Sequence, residues 1–343
     1  MKRILQTVLF ATLLSFLPLT SAYPWIFVDT SQAPIVPTQG VLTTIQELDN
    51  VIWKNFRNYP AAFALTNVGG YPIGDALIGD FPHMYFGVSF TIGCSNMKHY
   101  DESIPREKSI YPAYAPNPVL NFGFGLKGGF DLLFKLMIFT DAIYRPPLNQ
   151  KSAKMGKFNF YSAGFKLRKN LVGKKEFLPN LLGFGGFTIA AGADFMDGIT
   201  GVNGTYDYTL RNIYVGGGYY DVLFTAYYNF NLKWQMIGAN AQATAYINFL
   251  WIFDLYAGFG FALTWGRLRL DGSGFGPITS TALGSLGYIT ARCEYSKKPK
   301  PFMGLFIAGL EINIWILKVT LETDVNISNG KDINLQLGTR FQF

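Results

Sequence analysis

The chain ends on Asp332-Ile333-Asn334-Leu335-Gln336-Leu337-Gly338-Thr339-Arg340-Phe341-Gln342-Phe343. Ile333, Leu335, Leu337, Phe341 and Phe343 fall on one face, and Asn334, Gln336, Gly338, Arg340 and Gln342 on the other. Successive side chains of a strand point to opposite faces, so this is the pattern of a strand with lipid on one side and a polar interior on the other.

A chain that stops on Phe341 and Phe343 after such a strand resembles the bacterial outer-membrane barrel proteins, whose terminal aromatic is read as an insertion signal. The resemblance implies recognition of these residues by the barrel-assembly machinery and a final position among outer-membrane lipids. At the other end, Lys2 and Arg3, the apolar run 4–17, Pro18 and the small residues Thr20, Ser21 and Ala22 spell an export signal cleaved after Ala22. The run is shorter than the roughly 20 apolar residues of a membrane span, and no Cys follows the cleavage site to carry a lipid. Further on, Lys135, Asn248, Asp254 and many glycines interrupt every candidate spanning helix.

Composition agrees with a barrel. The 343 residues are 49% hydrophobic, 17% aromatic and 15% charged, with 37 glycines. A barrel wall raises hydrophobicity on its lipid face while its inward residues break every apolar run. The formal charge of +7 falls to about +5 without Lys2 and Arg3, which implies no nucleic-acid partner. Cys94 and Cys293 lie in an exported chain, where a disulfide is permitted, and have no metal-ligand spacing.

Strands follow from the alternation. Phe86 to Ile92, Leu120 to Leu126 and Phe130 to Ile138 each present an apolar face, with Lys127, Gly128 and Gly129 as a tight turn between the last two. Further registers run from Tyr161 to Leu167, Phe187 to Ala191, Ile237 to Phe249, Phe253 to Trp265, Leu310 to Ile314 and Val319 to Val325. With separate weaker strands at 206–215 and 219–231, this predicts an all-β, antiparallel transmembrane barrel of about twelve strands, or fourteen in the alternative count. Both termini are expected in the periplasm. Long outer loops are then expected at 95–117, 142–156, 195–204 and 266–301, the last with a projecting hairpin at 288–295. Short inner turns fall at 127–129, 250–252 and 315–317, and a longer basic one at 169–175. Phe158, Trp251, Phe253, Trp265, Trp315, Phe341 and Phe343 gather near strand ends as interfacial girdles.

Three regions result: the signal at 1–22, a segment at 23–82 and the barrel at 83–343. In the middle segment Ile45, Leu48, Val51, Ile52 and Phe56 recur at helical spacing, so an amphipathic helix is expected over 43–56, on an element that is either a lumen plug or a periplasmic extension. Asn58, Pro60 and Ala61 resemble the Asn-Pro-Ala stretch in the N-terminal hatch of outer-membrane long-chain fatty-acid transporters, with Tyr59 inserted. That resemblance implies a hydrophobic-substrate transporter with fourteen strands.

Lys127, Asp131, Lys135, Lys166, Arg168, Asp254, Glu311, Lys318, Glu322, Asp324 and Arg340 are the candidate lumen-facing groups, either paired inside the wall or forming a ring that sets ion preference. Catalytic residues, cofactor sites and metal sites are not expected. His83 and His99 lack the serine two residues on that a barrel phospholipase uses, and no zinc spacing or nucleophile elbow occurs. The expected function is an outer-membrane channel for passive passage of a small solute. The alternatives are a non-conducting structural or adhesive barrel with an extracellular ligand, and a hydrophobic-substrate transporter.

Overall fold

The computed structural model describes residues 26–32, 56–79, 82–96, 112–141, 149–150, 153–178, 181–215 and 217–343. The export signal, the predicted helix up to residue 55 and His99 lie outside them. Cys94 and Cys293 are buried, and no disulfide bridge joins them.

The strands are β1 (Ile26–Asp29), β2 (Met84–Ser95), β3 (Ala113–Leu126), β4 (Phe130–Thr140), β5 (Asn149–Gln150), β6 (Ala153–Val172), β7 (Lys175–Leu178), β8 (Leu182–Val215), β9 (Gly218–Phe249), β10 (Phe253–Ser280), β11 (Gly284–Lys297), β12 (Phe302–Ile314), β13 (Leu317–Asn326) and β14 (Ile333–Gln342). All pairings are antiparallel within one 14-stranded sheet. One continuous path runs β1-β11-β10-β12-β13-β14-β2-β3-β4-β6-β8-β7, and β9 pairs with both β8 and β10, which closes it. The full circuit is β2, β3, β4, β6, β8, β9, β10, β12, β13 and β14, an even number of strands. It is sealed where β14 meets β2: Met84 donates to the Phe343 carbonyl at 2.8 Å and Phe343 to that of Met84 at 3.0 Å.

The alternation places side chains as expected. On β10, Leu255, Phe259, Phe261 and Trp265 are exposed outward, while Asp254, Tyr256 and Ala262 are buried inward. The first outward charge above Leu255 is Arg267. The ten-residue rise from Leu255 to Trp265 matches the ~25 Å apolar band of a barrel whose strands tilt by about 40°. Among the described residues no helix is long and apolar enough to cross a membrane. A closed ring satisfies its own backbone in lipid, and the apolar exterior makes this an outer-membrane β-barrel. The lower turns carry the girdle. Leu250 and Trp251 take φ of 53° and 49° and Trp315 takes 61°, so interfacial aromatics hold turn positions that usually go to Gly or Asn.

The wall is lopsided. β13 and β14 have 10 residues each, enough to span, whereas β8, β9 and β10 have 34, 32 and 28. Residues 206–215 and 219–231 are the upper parts of β8 and β9, not separate strands. The loop expected at 195–204 is the middle of β8: Phe195 pairs with Ile237 and Gly204 with Tyr228. The hairpin expected from the 266–301 connection is present, since β10 from Leu268 pairs with β11. Together β8 to β11 form a tongue standing above the belt. β1 lies on its edge, pairing with Thr290 to Cys293, so the described N-terminal residues and Phe343 lie at opposite ends of the barrel. The N-terminus itself, to which the expectation of both termini in the periplasm refers, lies outside the described residues.

Among the described residues one helix, α1 (Tyr59–Val68), stands in the lumen, at a position where the sequence reading had no helix. Asn58 precedes it and Pro60 lies in its first turn, where a missing N–H costs nothing. Nine of its ten residues are buried, and its lack of an amphipathic stripe follows from burial on every side. Residues 69–79 continue down the lumen without regular structure.

Two glycines let this segment seat. A side chain at Gly93 would overlap the Ala62 carbonyl, and one at Gly125 would overlap that of Gly79. Gly93→Val and Gly125→Val should destabilise the seated segment by about 1–3 kcal/mol and open residues 56–79 to protease in proteoliposomes, with the heat-modifiable barrel retained. Gly173→Ala, where nothing lies within 4 Å, should leave protection unchanged.

Candidate functional site

The site is the contact between the lumen segment and the wall. An irregular chain buried at 69–79 has no helix or ladder to satisfy its peptide groups, and each one left bare costs free energy. The wall supplies the partners.

Six strands, β4, β6, β8, β9, β13 and β14, converge at the lower end of α1. Lys135 on β4 donates to the carbonyls of Asn67 and, at 2.6 Å, Gly69, placing a cation at the negative end of the helix. Its ammonium lies 2.9 Å from Asp194 on β8, both side chains fully buried. Asp194 also accepts from Tyr71 at 2.9 Å and from Asn240 at 2.7 Å. Lys166 donates to Gln242 at 2.9 Å, and both ammoniums stand over the Tyr71 ring, at 4.9 Å for Lys135 and 4.7 Å for Lys166. Gln336 accepts from the Gly70 amide at 2.5 Å and donates to Glu322 and Asp324. Gly70 itself needs its φ of +95° to turn the chain here.

Near the lower rim Arg340 grips both oxygens of Glu311 and reaches Asp75 at 3.3 Å, while Lys318 reaches Asp75 at the same distance. Glu311 accepts from the Gly74 amide at 2.8 Å and from Thr320 at 2.7 Å. Arg168 pairs with Asp131 at 2.6 Å and donates to the Asp75 carbonyl at 2.5 Å, and Asp131 takes the Ile78 amide at 3.2 Å. Asn248 and Asn313 both donate to Asp254.

Of the predicted lumen groups, Asp131, Lys135, Lys166, Arg168, Asp254, Glu311, Glu322, Asp324 and Arg340 are buried inward, and Lys318 is half-buried. Lys127 stands exposed in its turn. Phe341 and Phe343 are exposed outward. The sequence reading missed Asp194, Asp75, Tyr71 and Tyr256, and placed Gln336 on the inward face without naming it as a site. Asp194 was legible, because it continues the inward parity of Thr188, Ala190 and Gly192.

The carboxylates of Asp75, Asp254 and Glu311 come within 4.8 Å of one another, a spacing that suits a cation. Arg340 and Lys318 already neutralise most of that charge, and the asparagine amides and Thr320 hold the oxygens. Two cavities of about 10 and 20 Å3 lie between segment and wall, room for a water molecule or two.

Lys135→Met should cost about 3–5 kcal/mol, because it strands Asp194 without its cation. The double variant Lys135→Met with Asp194→Asn should recover most of that loss. The readout is the temperature at which the compact band disappears on a gel, for both single variants and the pair.

Among solved structures, the translocator domain of the autotransporter NalP from Neisseria meningitidis is similar at 7% identity and TM-score 0.29, over 90% of this chain and 99% of that one. The toluene transporter TbuX from Ralstonia pickettii aligns at 9% identity and TM-score 0.26, over 84% and 99%. Ail, the attachment invasion locus protein of Yersinia pestis, aligns at 10% identity and TM-score 0.24, over 76% and 98%. No residue correspondence follows from likenesses of this strength. Comparison with curated proteins gives no match. A family model described as Lsa36-like matches residues 107–343.

Proposed function

This chain belongs to the Lsa36-like family, and on that premise we propose that it is a sealed barrel whose work is done above the membrane, as a surface-binding protein. The observation that carries the reading is the use of the lumen. Its charges hold the segment 67–78 instead of lining a hydrated path, and passage of any solute, small and polar or hydrophobic, would require that segment to leave. Binding, not catalysis, is the role assigned.

The tongue supports the same reading. Above a polar zone where Lys233, Arg269, Asp271 and Glu294 form ion pairs, its outward face carries Tyr227, Phe275 and Tyr288. Phe275 stands 6.4 Å from Tyr227 and 5.2 Å from Tyr288, each ring exposed by more than a third. Exposed aromatics in a row are a contact surface that a protein gains nothing by showing to water. The partners on this reading are outer-membrane lipids around the belt, an extracellular ligand at the tongue and, during insertion, the assembly machinery reading Phe341 and Phe343.

Purified full-length protein in planar bilayers should be electrically silent. Steady ohmic channels from the intact chain would return the function to passive passage. Replacing 205–227 and 275–290 by short turns should leave a heat-modifiable barrel but abolish adhesion of cells displaying it to immobilised protein and glycan arrays. Phe343→Asp should slow assembly far more than Gln342→Glu, measured as the yield of compact band, because only the former alters the outward terminal aromatic.

A further inference from the structure

The lumen segment runs in one direction. At its upper end Phe56 packs 6.0 Å from Tyr295, which pairs with Leu270 on the tongue. Phe63 lies 5.1 Å from Trp234, which pairs with Leu268, two residues lower. Asn117 then donates to the Thr66 carbonyl at 3.0 Å and Asn67 to that of Asp194 at 3.5 Å, well within the belt. Gly74 meets Glu311, which pairs with Asp254 at the bottom of β10, and Ile78 meets Asp131 and Gln342 at the lower rim. Only there does the chain turn to rise as β2. A second, separate contact fixes what comes before: β1 pairs with Thr290 to Cys293, opposite Phe275 to Gly272, and Tyr288 donates to the Gln32 carbonyl. At about 2.5 Å of height per tilted residue, β1 stands about 20 Å above the Trp265 girdle.

Short turns at 127–129, 250–252 and 315–317 mark the periplasmic rim of a barrel, so the tongue at the opposite end is outside. We propose that the barrel conducts its own N-terminal arm to the cell surface: residues 26–32 stand outside the cell, and α1 with 69–79 closes the lumen behind them. A chain exported on an N-terminal signal delivers that arm to the periplasm first. The arm then has to cross, and a path through lipid would strip its peptide groups of partners. The lumen is the remaining route, and it is free until α1 and 69–79 seat. The passage is extended, since a ring of this size holds one helix and little more. What retains the arm is the set of bonds made on arrival: the β1–β11 ladder outside, Lys135 on the end of α1, and the Arg340 and Arg168 contacts below.

Cys94 and Cys293 are both buried, so a new surface cysteine is read against a quiet background. Ser31→Cys, Ser273→Cys on the outward face of the tongue and Lys174→Cys at the lower rim are each exposed positions. With a membrane-impermeant maleimide on intact cells, Ser31→Cys should label to within about twofold of Ser273→Cys, and Lys174→Cys only after permeabilisation. Labelling of Ser31→Cys that needs permeabilisation while Ser273→Cys labels on intact cells overturns the proposal, as does labelling of Lys174→Cys on intact cells. If Ser31→Cys gives no compact band, an epitope between Ala22 and Tyr23 replaces it. Antibody binding to intact cells supports export of the arm, and binding only to opened cells overturns it. Conductance has no bearing on these outcomes, so the proposal and the surface-binding reading fail separately.

Discussion

A buried stretch of irregular backbone is the constraint on which the rest of this structure depends. Between Gly69 and Gly79 the chain crosses the lower lumen with neither helix nor ladder, and its peptide groups must be satisfied by whatever surrounds them. The answer is visible residue by residue: Gln336 for Gly70, Glu311 for Gly74, Asp131 for Ile78, Lys135 for Gly69 and Arg168 for Asp75. These groups come from β4, β6, β12 and β14, so the wall is tied together through its contents. Charges that satisfy backbone must themselves be balanced. That is why Lys135 meets Asp194, Arg168 meets Asp131 and Arg340 meets Glu311 in the interior.

The uneven wall follows from a different demand. Strands that only span need about ten residues, and β13 and β14 stop there. The strands β8 to β10 run to about three times that length, and a sheet that leaves the bilayer must change its outer face from lipid-facing to water-facing. The change occurs at one level: Trp265 gives way to Arg267, and Ile237 on the paired strand to Gln235 and Lys233. The Lys233–Asp271 and Arg269–Glu294 pairs lie just above. As exposed pairs they contribute little stability, and they keep the tongue from sinking into the headgroups.

Alternation made the wall legible in sequence, because a period of two is dictated by the strand itself. Register from Phe253 to Trp265 and from Ile333 to Phe343 needed nothing else. The upper strands were read less well. At 195–204 the glycines Gly198, Gly201 and Gly204 look like a loop, yet here two sit against bulky neighbours: Gly198 faces the Trp234 ring and Gly201 the Asn231 amide. Local composition cannot distinguish a glycine that turns from one that makes room. The helix was missed for a related reason. Tyr59 to Val68 has no polar face, since it is surrounded, and periodicity detects helices only by the contrast between two faces. The charged wall groups were found from parity, while their partners Tyr71 and Asp75 lie in a segment with no period at all.

The inward faces nevertheless record where the helix stands. Rising through the lumen, Lys135 is followed two residues on by Met137, Asp194 by Met196, and Arg168 and Lys166 lead up to Phe160 and Phe158. On β9 the change passes through Gly238, from Gln242 and Asn240 to Met236 and Trp234; on β10 it passes through Gly266, from Thr264 to Leu268. These five switches fall at one level of the barrel, the lower end of α1, because their residues are matched across the ladders. Above it the guest is a helix whose peptide groups bond to one another, so an apolar wall of Phe160, Met196, Trp234, Met236 and Leu268 packs against Phe56, Tyr59 and Phe63. Below it the guest is bare backbone, and the wall adds the polar groups that bond it, among them Asp131, Arg168, Glu311 and Arg340, beside apolar ones such as Leu133 and Tyr85. A lumen built to hydrate passing ions has no reason to become apolar at the height where its occupant becomes helical, so the polarity of the wall is a complement to the segment it holds.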